Sequence, residues 1–217
     1  MNSFALICSC IVDGVAVPRG KSSSTSLVQA ETNPMIFSRF RRGASPDTIS
    51  TLYGMIVAQA RLPVFYRDYA VADTVNGRFD LLVLHLAIVL GRLWQESEQA
   101  PALKLLGQGV FDRFCEDMDG NLREIGIADL KVPKEMTKMG QAYYGRAQAY
   151  QAALDAPGDQ ALADTIARNI YGGLPPDSAA TQRLAAYVRL AVGELQARSA
   201  AQLAEADVRF PDPLAVA

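Results

Sequence analysis

The side chains best suited to chemistry are three carboxylates on one predicted helix. Asp112, Glu116 and Asp119 are four and three residues apart, so they share one helix face. All-α enzymes that bind magnesium diphosphate have such faces, but they need a second acidic motif on a facing helix. The remaining acidic candidates lie in a weakly patterned segment, residues 155–164. Helix 111–119 therefore favours a solvated or partner-facing surface, and a metal-dependent all-α enzyme is the less favoured alternative.

Histidine and cysteine usage argues against a metal centre. A zinc site usually needs three or four His, Cys or acidic ligands, and His85 is the one histidine of the chain. Cys8 and Cys10 form a C-x-C pair and Cys115 stands alone, without any C-x-x-C spacing. We expect His85 to be a core residue bonded to a carbonyl or carboxylate, rather than a haem ligand or general base. Cys115 is expected to be a buried structural thiol, and no metal, cofactor or catalytic residue is predicted.

Length and composition limit the remaining classes. The chain has 217 residues, of which 50% are hydrophobic and 20% charged, and its net charge is −2. This length suits one domain or two small ones, and the composition excludes intrinsic disorder and disulfide scaffolds. The charge balance argues against a dedicated nucleic-acid-binding protein, since neutralising phosphates needs an excess of Lys and Arg.

Helical signals position these side chains. Residues 45–47, Ser-Pro-Asp, predict a helix start, and Pro63 should end that helix. Residues 79–94 are apolar on nearly all sides, which predicts a central buried helix too short to span a membrane. Asp129 is predicted to cap a later helix, and residues after Val208 are expected to fray. The fold class predicted is all-α, a single globular bundle of about six or seven helices.

Domain boundaries follow from breaks in this pattern. The helical domain should comprise residues 45–210, and the Pro157-Gly158 break could set off a small C-terminal lobe, residues 157–210. Residues 1–44 are predicted to be a disordered tail. Alternatively, residues 1–34 are an upstream extension, and the functional chain starts at Met35. A basic arm follows Met35, and it lies either on an anionic membrane surface or free in solvent. The arm consists of Ile36, Phe37, Arg39, Phe40, Arg41 and Arg42.

Three sequence blocks carry a family resemblance. They are YGMIVAQARLPVFYRDYAVADTVNGRFDLLVLHLAIVLGRL at 53–93, GQGVFDRFCEDMDGNLREIGIADLKVPKEM at 107–136 and AYYGRAQAY at 142–150. Together they resemble the ubiquinol–cytochrome c chaperone family in its alphaproteobacterial form, over about residues 35–154. Bacterial members begin near the position of Met35, which favours the late start.

The resemblance implies an all-α assembly factor without catalysis. Mitochondrial members bind newly made cytochrome b at the ribosomal tunnel exit and hold it for assembly into respiratory complex III. They work with a small partner protein, which nothing in this sequence leads us to expect. The implied place is cytoplasmic, peripheral at the inner face of the cytoplasmic membrane. A membrane-surface helical adaptor acting through residues 36–42 is the other alternative.

The resemblance and the charge pattern give a set of candidate interface residues. Charges at the edges of buried helices are usually paired caps and struts, but they can also rim a groove that receives another helix. Residues that match the family motifs and are expected to be partly exposed are the candidates for client binding. They are Arg61, Phe65, Tyr66, Asp73, Arg78, Asp112, Asp119, Arg123, Glu124, Asp129, Lys134 and Arg146.

Overall fold

Helices make up the regular structure of the described chain. The computed structural model describes residues 44–175 and 177–216, and these ranges contain helices and no strand, which confirms the all-α prediction. The predicted arm, residues 36–42, and the candidate start at Met35 lie outside them. The elements are α1 Pro46–Ala60, α2 Pro63–Arg67, α3 Val75–Gln95, α4 Pro101–Glu124, α5 Val132–Asp155, α6 Gln160–Ile170, α7 Ser178–Gln196, α8 Ala200–Ala204 and a 3-10 helix, Pro213–Ala215.

Capping residues explain where the helices begin. The Ser45 hydroxyl accepts a hydrogen bond from the Thr48 amide at 3.1 Å, as the sequence predicts for α1. The predicted Asp129 cap is wrong. Lys131 occupies the N-cap position of α5 without a side-chain cap, and the Asp129 carboxylate instead accepts from the guanidinium of Arg123. Asp129 lies two residues before the N-cap position, and its carboxylate forms an ion pair with Arg123 across the α4–α5 turn instead of capping α5.

The central helix is α3, as predicted. Eleven of its 21 residues are buried, and it packs against α1, α4, α5, α6 and α7. No helix within residues 44–175 and 177–216 is long and apolar enough to cross a membrane. The separate boundary of a C-terminal lobe at residue 157 stays a prediction.

Pairs of neighbouring residues on facing helices give the helix directions. Those pairs are Phe79–Phe114 and Leu93–Gly107 between α3 and α4, Ile49–Gly109 and Tyr53–Asp117 between α1 and α4, and Asp80–Arg146 and Gly91–Gln151 between α3 and α5. Helix α4 is therefore antiparallel to α3, whereas α5 runs with α3 and α1 runs with α4. As a result, α1 and α4 end, and α3 and α5 begin, at one end of the bundle. We call this the motif end.

The C-terminal segment is docked against the bundle, so the predicted fraying after Val208 is wrong. Val208 is 1% exposed and Pro213 is buried. The Gln59 side-chain amide donates to the Pro211 carbonyl at 3.3 Å, and the Tyr69 hydroxyl donates to the Pro213 carbonyl at 2.7 Å. These donors come from α1 and from the loop after α2, so distant residues hold the segment in place.

Candidate functional site

Most of the predicted interface residues gather at the motif end, in two groups. The first group surrounds the end of α1 and the start of α3 and consists of Arg61, Tyr66, Asp73 and Arg78. The second surrounds the α4–α5 turn and consists of Asp119, Arg123, Glu124, Asp129 and Lys134. Phe65, Asp112 and Arg146 belong to neither group.

The first group is a set of mutually interacting charges around a half-buried tyrosine. The Arg78 guanidinium pairs with Asp73 at 2.6 Å, which lowers the pKa of Asp73. The Tyr66 hydroxyl donates to the Ala60 carbonyl at the end of α1, at 2.9 Å. Burial raises the pKa of Tyr66, while the nearby cations of Arg61 and Arg78 oppose that shift. Arg61, Asp73 and Arg78 are all exposed and therefore available to a partner.

The second group is organised by Arg123. Its guanidinium pairs with Asp119 at 2.7 Å, one turn earlier on α4, and also with Asp129 in the α4–α5 turn. The Arg123 hydrogen bond lowers the pKa of Asp119. Glu124 and Lys134 are exposed beside this network. Arg123 can therefore act as a strut for the turn and as part of a charged rim.

Three exposed apolar side chains lie at the same end. Val75 is 76% exposed at the start of α3, and Ile125 and Leu130 are 66% and 96% exposed in the α4–α5 turn. Sequence reasoning missed them because apolar residues in a turn have no periodicity to reveal which way they face. The only local sequence signal of their exposure is the presence of a turn, which Gly126 indicates: its φ of +86° is a conformation that favours glycine.

Arg146 is mostly engaged inside the bundle. It pairs with Asp80 at 2.8 Å, and both side chains are largely buried, at 24% and 14% exposed. Its guanidinium also lies over the Phe79 ring, 5.6 Å from the centroid. Burial raises the pKa of Asp80 to about 6, although the Arg146 charge opposes the shift. Arg146 thus joins α5 to α3.

Phe65 is completely buried, so its expected partial exposure is wrong. The single turn of α2 directs its ring inward, against Tyr69 and His85 at 5.4 Å each and Tyr187 at 5.0 Å between centroids. Its neighbour Tyr66 faces the motif end.

His85 is the core residue that the sequence predicts. Its Nδ1 lies 2.8 Å from the Leu81 carbonyl and its Nε2 lies 2.9 Å from the Tyr187 hydroxyl. Because a carbonyl can only accept, Nδ1 carries the proton and the Tyr187 hydroxyl donates to Nε2. The Gln59 amide donates to the same hydroxyl at 2.9 Å. Burial lowers the pKa of His85 to about 4, which keeps the imidazole neutral.

The acidic face of α4 is occupied by neighbouring side chains. Asp112, which is exposed, accepts from Gln108 at 2.7 Å, and Glu116 accepts from Arg113 at 3.4 Å. Across the described residues, no three His, Cys, Asp or Glu side chains are grouped to hold a metal ion. Cys115 is half-buried rather than buried, and burial, with Asp112 and Glu116, raises its pKa to about 11. Such a thiol is a poor nucleophile at neutral pH.

A cavity of about 190 Å³ lies between α3, α5 and α7, on the side of the bundle where α5 ends. Two of its lining residues are arginines whose guanidinium groups donate hydrogen bonds to backbone carbonyls. Arg92 donates to Leu195 at 3.2 Å, and Arg189 donates to Leu154 at 2.8 Å. These arginines therefore hold helix ends in place.

Comparison with known proteins identifies the family. The model of a family described as ubiquinol-cytochrome C chaperone matches residues 67–210. A solved structure described as the Cbp3 homolog from Brucella abortus is 40% identical, with 82% of this chain and 98% of that chain covered and a TM-score of 0.73. None of the curated proteins matches significantly. These matches confirm the resemblance read from the three sequence blocks, and the chain belongs to the ubiquinol–cytochrome c chaperone family.

Proposed function

We propose that the chain is a non-catalytic assembly chaperone for respiratory complex III and that its client is newly made cytochrome b. The observation that supports this most is the family membership, taken with the position of the motif residues. Nine of the twelve candidate residues lie around one end of the bundle, although they come from separate blocks of the sequence.

The motif end has the chemistry that a membrane-protein client requires. A client with apolar transmembrane helices needs apolar contacts surrounded by polar groups that keep the chaperone in water. Val75, Ile125 and Leu130 supply exposed apolar surface, and the two charged groups lie at the same end of the bundle. We propose that the client contacts these three side chains and that Arg61 and Arg123 contribute to the rim.

The arm of residues 36–42 extends this proposal toward the membrane. Its three arginines and its apolar residues suit weak contact with an anionic surface. The chaperone would then work as a cytoplasmic protein at the inner face of the membrane, near the ribosomal exit where cytochrome b emerges.

Complementation of a deletion strain tests the proposed function. The unchanged chain should restore cytochrome b, measured by reduced-minus-oxidised spectra and immunoblot. The double variant Ile125→Ser and Leu130→Ser should restore much less, at equal chaperone abundance. The matched control is Leu190→Ser on α7, where an equally apolar side chain is 50% exposed outside the motif end. If the deletion leaves cytochrome b unchanged, the proposed function is wrong; if double variant and control restore it equally, only the proposed surface is wrong.

Charge reversal at Arg123 distinguishes a rim residue from a strut. Arg123→Glu places a third carboxylate beside Asp119 and Asp129, and position 123 itself is exposed. As a rim residue, it should lower client capture in a pull-down at least several-fold while the thermal midpoint stays within about 2 °C, equivalent to roughly 0.5–1 kcal/mol. Arg113→Glu, which breaks another exposed ion pair on α4, is the control. A large fall in the midpoint with Arg123→Glu alone would identify a strut.

A further inference from the structure

The last ten described residues, 207–216, form a segment that we call the C-terminal strap. It leaves α8 through Ala206, which has a φ of 58°, in the left-handed region that residues with a Cβ rarely adopt. It then runs across the bundle to its 3-10 helix, which packs on α2. A segment that starts at such a bend and ends in a single short turn is structurally distinct from the helices it crosses.

Side chains of the bundle bind the strap through its backbone carbonyls. Gln59 donates to the carbonyl of Pro211, and Tyr69 donates to that of Pro213. The backbone amides of strap residues form local hydrogen bonds: within the described chain, those of 207, 208, 215 and 216 donate to carbonyls two to five residues earlier. The strap is therefore held by groups that a bound peptide would also use.

The surface beneath the strap is aromatic, with hydrogen-bond donors at its edges. The half-buried Phe210 ring packs edge-to-face with His85, with centroids 5.5 Å apart, and His85 in turn contacts Phe65 and Tyr187. Such a surface accommodates an aromatic side chain followed by an extended chain. Gln59 and Tyr69 would bind carbonyls, which every residue possesses, so sequence selectivity would come mainly from the aromatic position and from proline, whose preset φ favours an extended chain.

We infer that α1, α3 and α2 with the loop that follows it form a peptide-binding groove, which the strap occupies in cis. The class of ligand is an extended, proline-containing segment with an aromatic residue immediately before the first proline, as in Phe210-Pro211. Few strap side chains are buried, whereas α3 packs against five helices, so the strap can open without unfolding the bundle. A segment of the same chemistry from another chain would then compete with the strap for the groove.

Peptide binding to the full-length chain tests the groove. The probe is a fluorescein-labelled peptide with the sequence of residues 207–216, DVRFPDPLAV, followed by fluorescence anisotropy. Phe210→Ala weakens the strap in cis, so the variant should bind the probe with a Kd at least tenfold lower than the unchanged chain does, because its groove is more often free. Adding Tyr69→Phe to this variant removes one carbonyl donor and should weaken probe binding again.

Two controls make every result decisive. A scrambled probe should bind no variant, and Asp212→Ala serves as a second way to loosen the strap. Asp212 is exposed, and its carboxylate begins the 3-10 helix by accepting from the Leu214 amide. The inference is overturned if neither variant binds the probe saturably or if the scrambled probe binds equally well. It is also overturned if both variants lose cooperative unfolding, because the strap is then an integral part of the core.

Discussion

Replacing Tyr187 with phenylalanine removes one oxygen atom from the middle of a buried hydrogen-bonded chain. That oxygen accepts from Gln59 on α1 and donates to Nε2 of His85 on α3. The ring of Tyr187 is completely buried and would keep its contacts with Phe65. The substitution therefore tests the hydrogen bonds separately from the packing.

The size of the effect follows from which groups lose a partner. His85 Nε2 is buried and would have no donor, whereas the Gln59 amide keeps the Pro211 carbonyl at 3.3 Å. Leaving one buried acceptor unsatisfied costs about 1–3 kcal/mol. For a domain of this size, each kcal/mol lowers the thermal midpoint by about 2–4 °C. We therefore expect Tyr187→Phe to lower the midpoint by roughly 2–12 °C.

Tyr143→Phe is the matched control for this measurement. Tyr143 is also fully buried, but its hydroxyl has no hydrogen-bond partner among the described residues. Removing an unsatisfied buried hydroxyl should leave the free energy of unfolding unchanged within about 0.5 kcal/mol, or increase it. Both variants are compared by urea denaturation and by thermal unfolding at pH 7.

Equal stabilities of the two variants would refute the hydrogen-bonded chain. The same conclusion follows if Tyr187→Phe is as stable as the unchanged protein. A loss in both variants would show that the cost comes from changes in ring packing, since that is what the two substitutions share.

Two further predictions concern backbone space and pH. Gly77→Ala should destabilise the protein by about 1–3 kcal/mol, because a Cβ at this position would lie 2.0 Å from the Ala72 carbonyl oxygen. Gly54→Ala is the control: nothing lies within 4 Å of its Cβ, so it should stabilise α1 by about 0.5–1 kcal/mol. Urea denaturation measures both changes in the free energy of unfolding. Burial raises the pKa of Asp80 from 3.8 to about 6, so the folded state retains a proton that the unfolded state releases, and stability contributed by this group falls as the pH rises through that window. Asp80→Asn should remove this contribution, and an identical dependence of unfolding free energy on pH in both proteins would contradict it.

Local signals predicted the helices well. Ser45 and Pro46 define the start of α1, and the apolar run of residues 79–94 identifies α3, because capping and all-round burial are encoded in neighbouring residues. The resemblance also selected interface candidates that the fold brings to one end. Sequence spacing does not predict that these residues gather at one end, since packing decides the direction of each helix.

The errors arose where distant residues decide the outcome. The strap was expected to fray because two prolines interrupt it, but its hydrogen-bond donors Gln59 and Tyr69 are more than 140 residues earlier in the chain. Phe65 matches a family motif and is therefore expected to be partly exposed, but the turn of α2 buries it. The exposure of Leu130 was not predicted, because it depends on the path of the α4–α5 turn.

The central position of α3 has a consequence for the synthesis of the protein itself. This helix follows α1 and α2 in the chain, but most of its packing partners, α4 to α7, come after it. Tyr187, which bonds to His85, lies in the middle of α7. At roughly 5–20 residues per second, about 5–20 s separate the synthesis of the end of α3 from that of Tyr187. During this interval α3 cannot yet bury its apolar surface against all of its partners, so the nascent chaperone exposes apolar surface that is prone to aggregation.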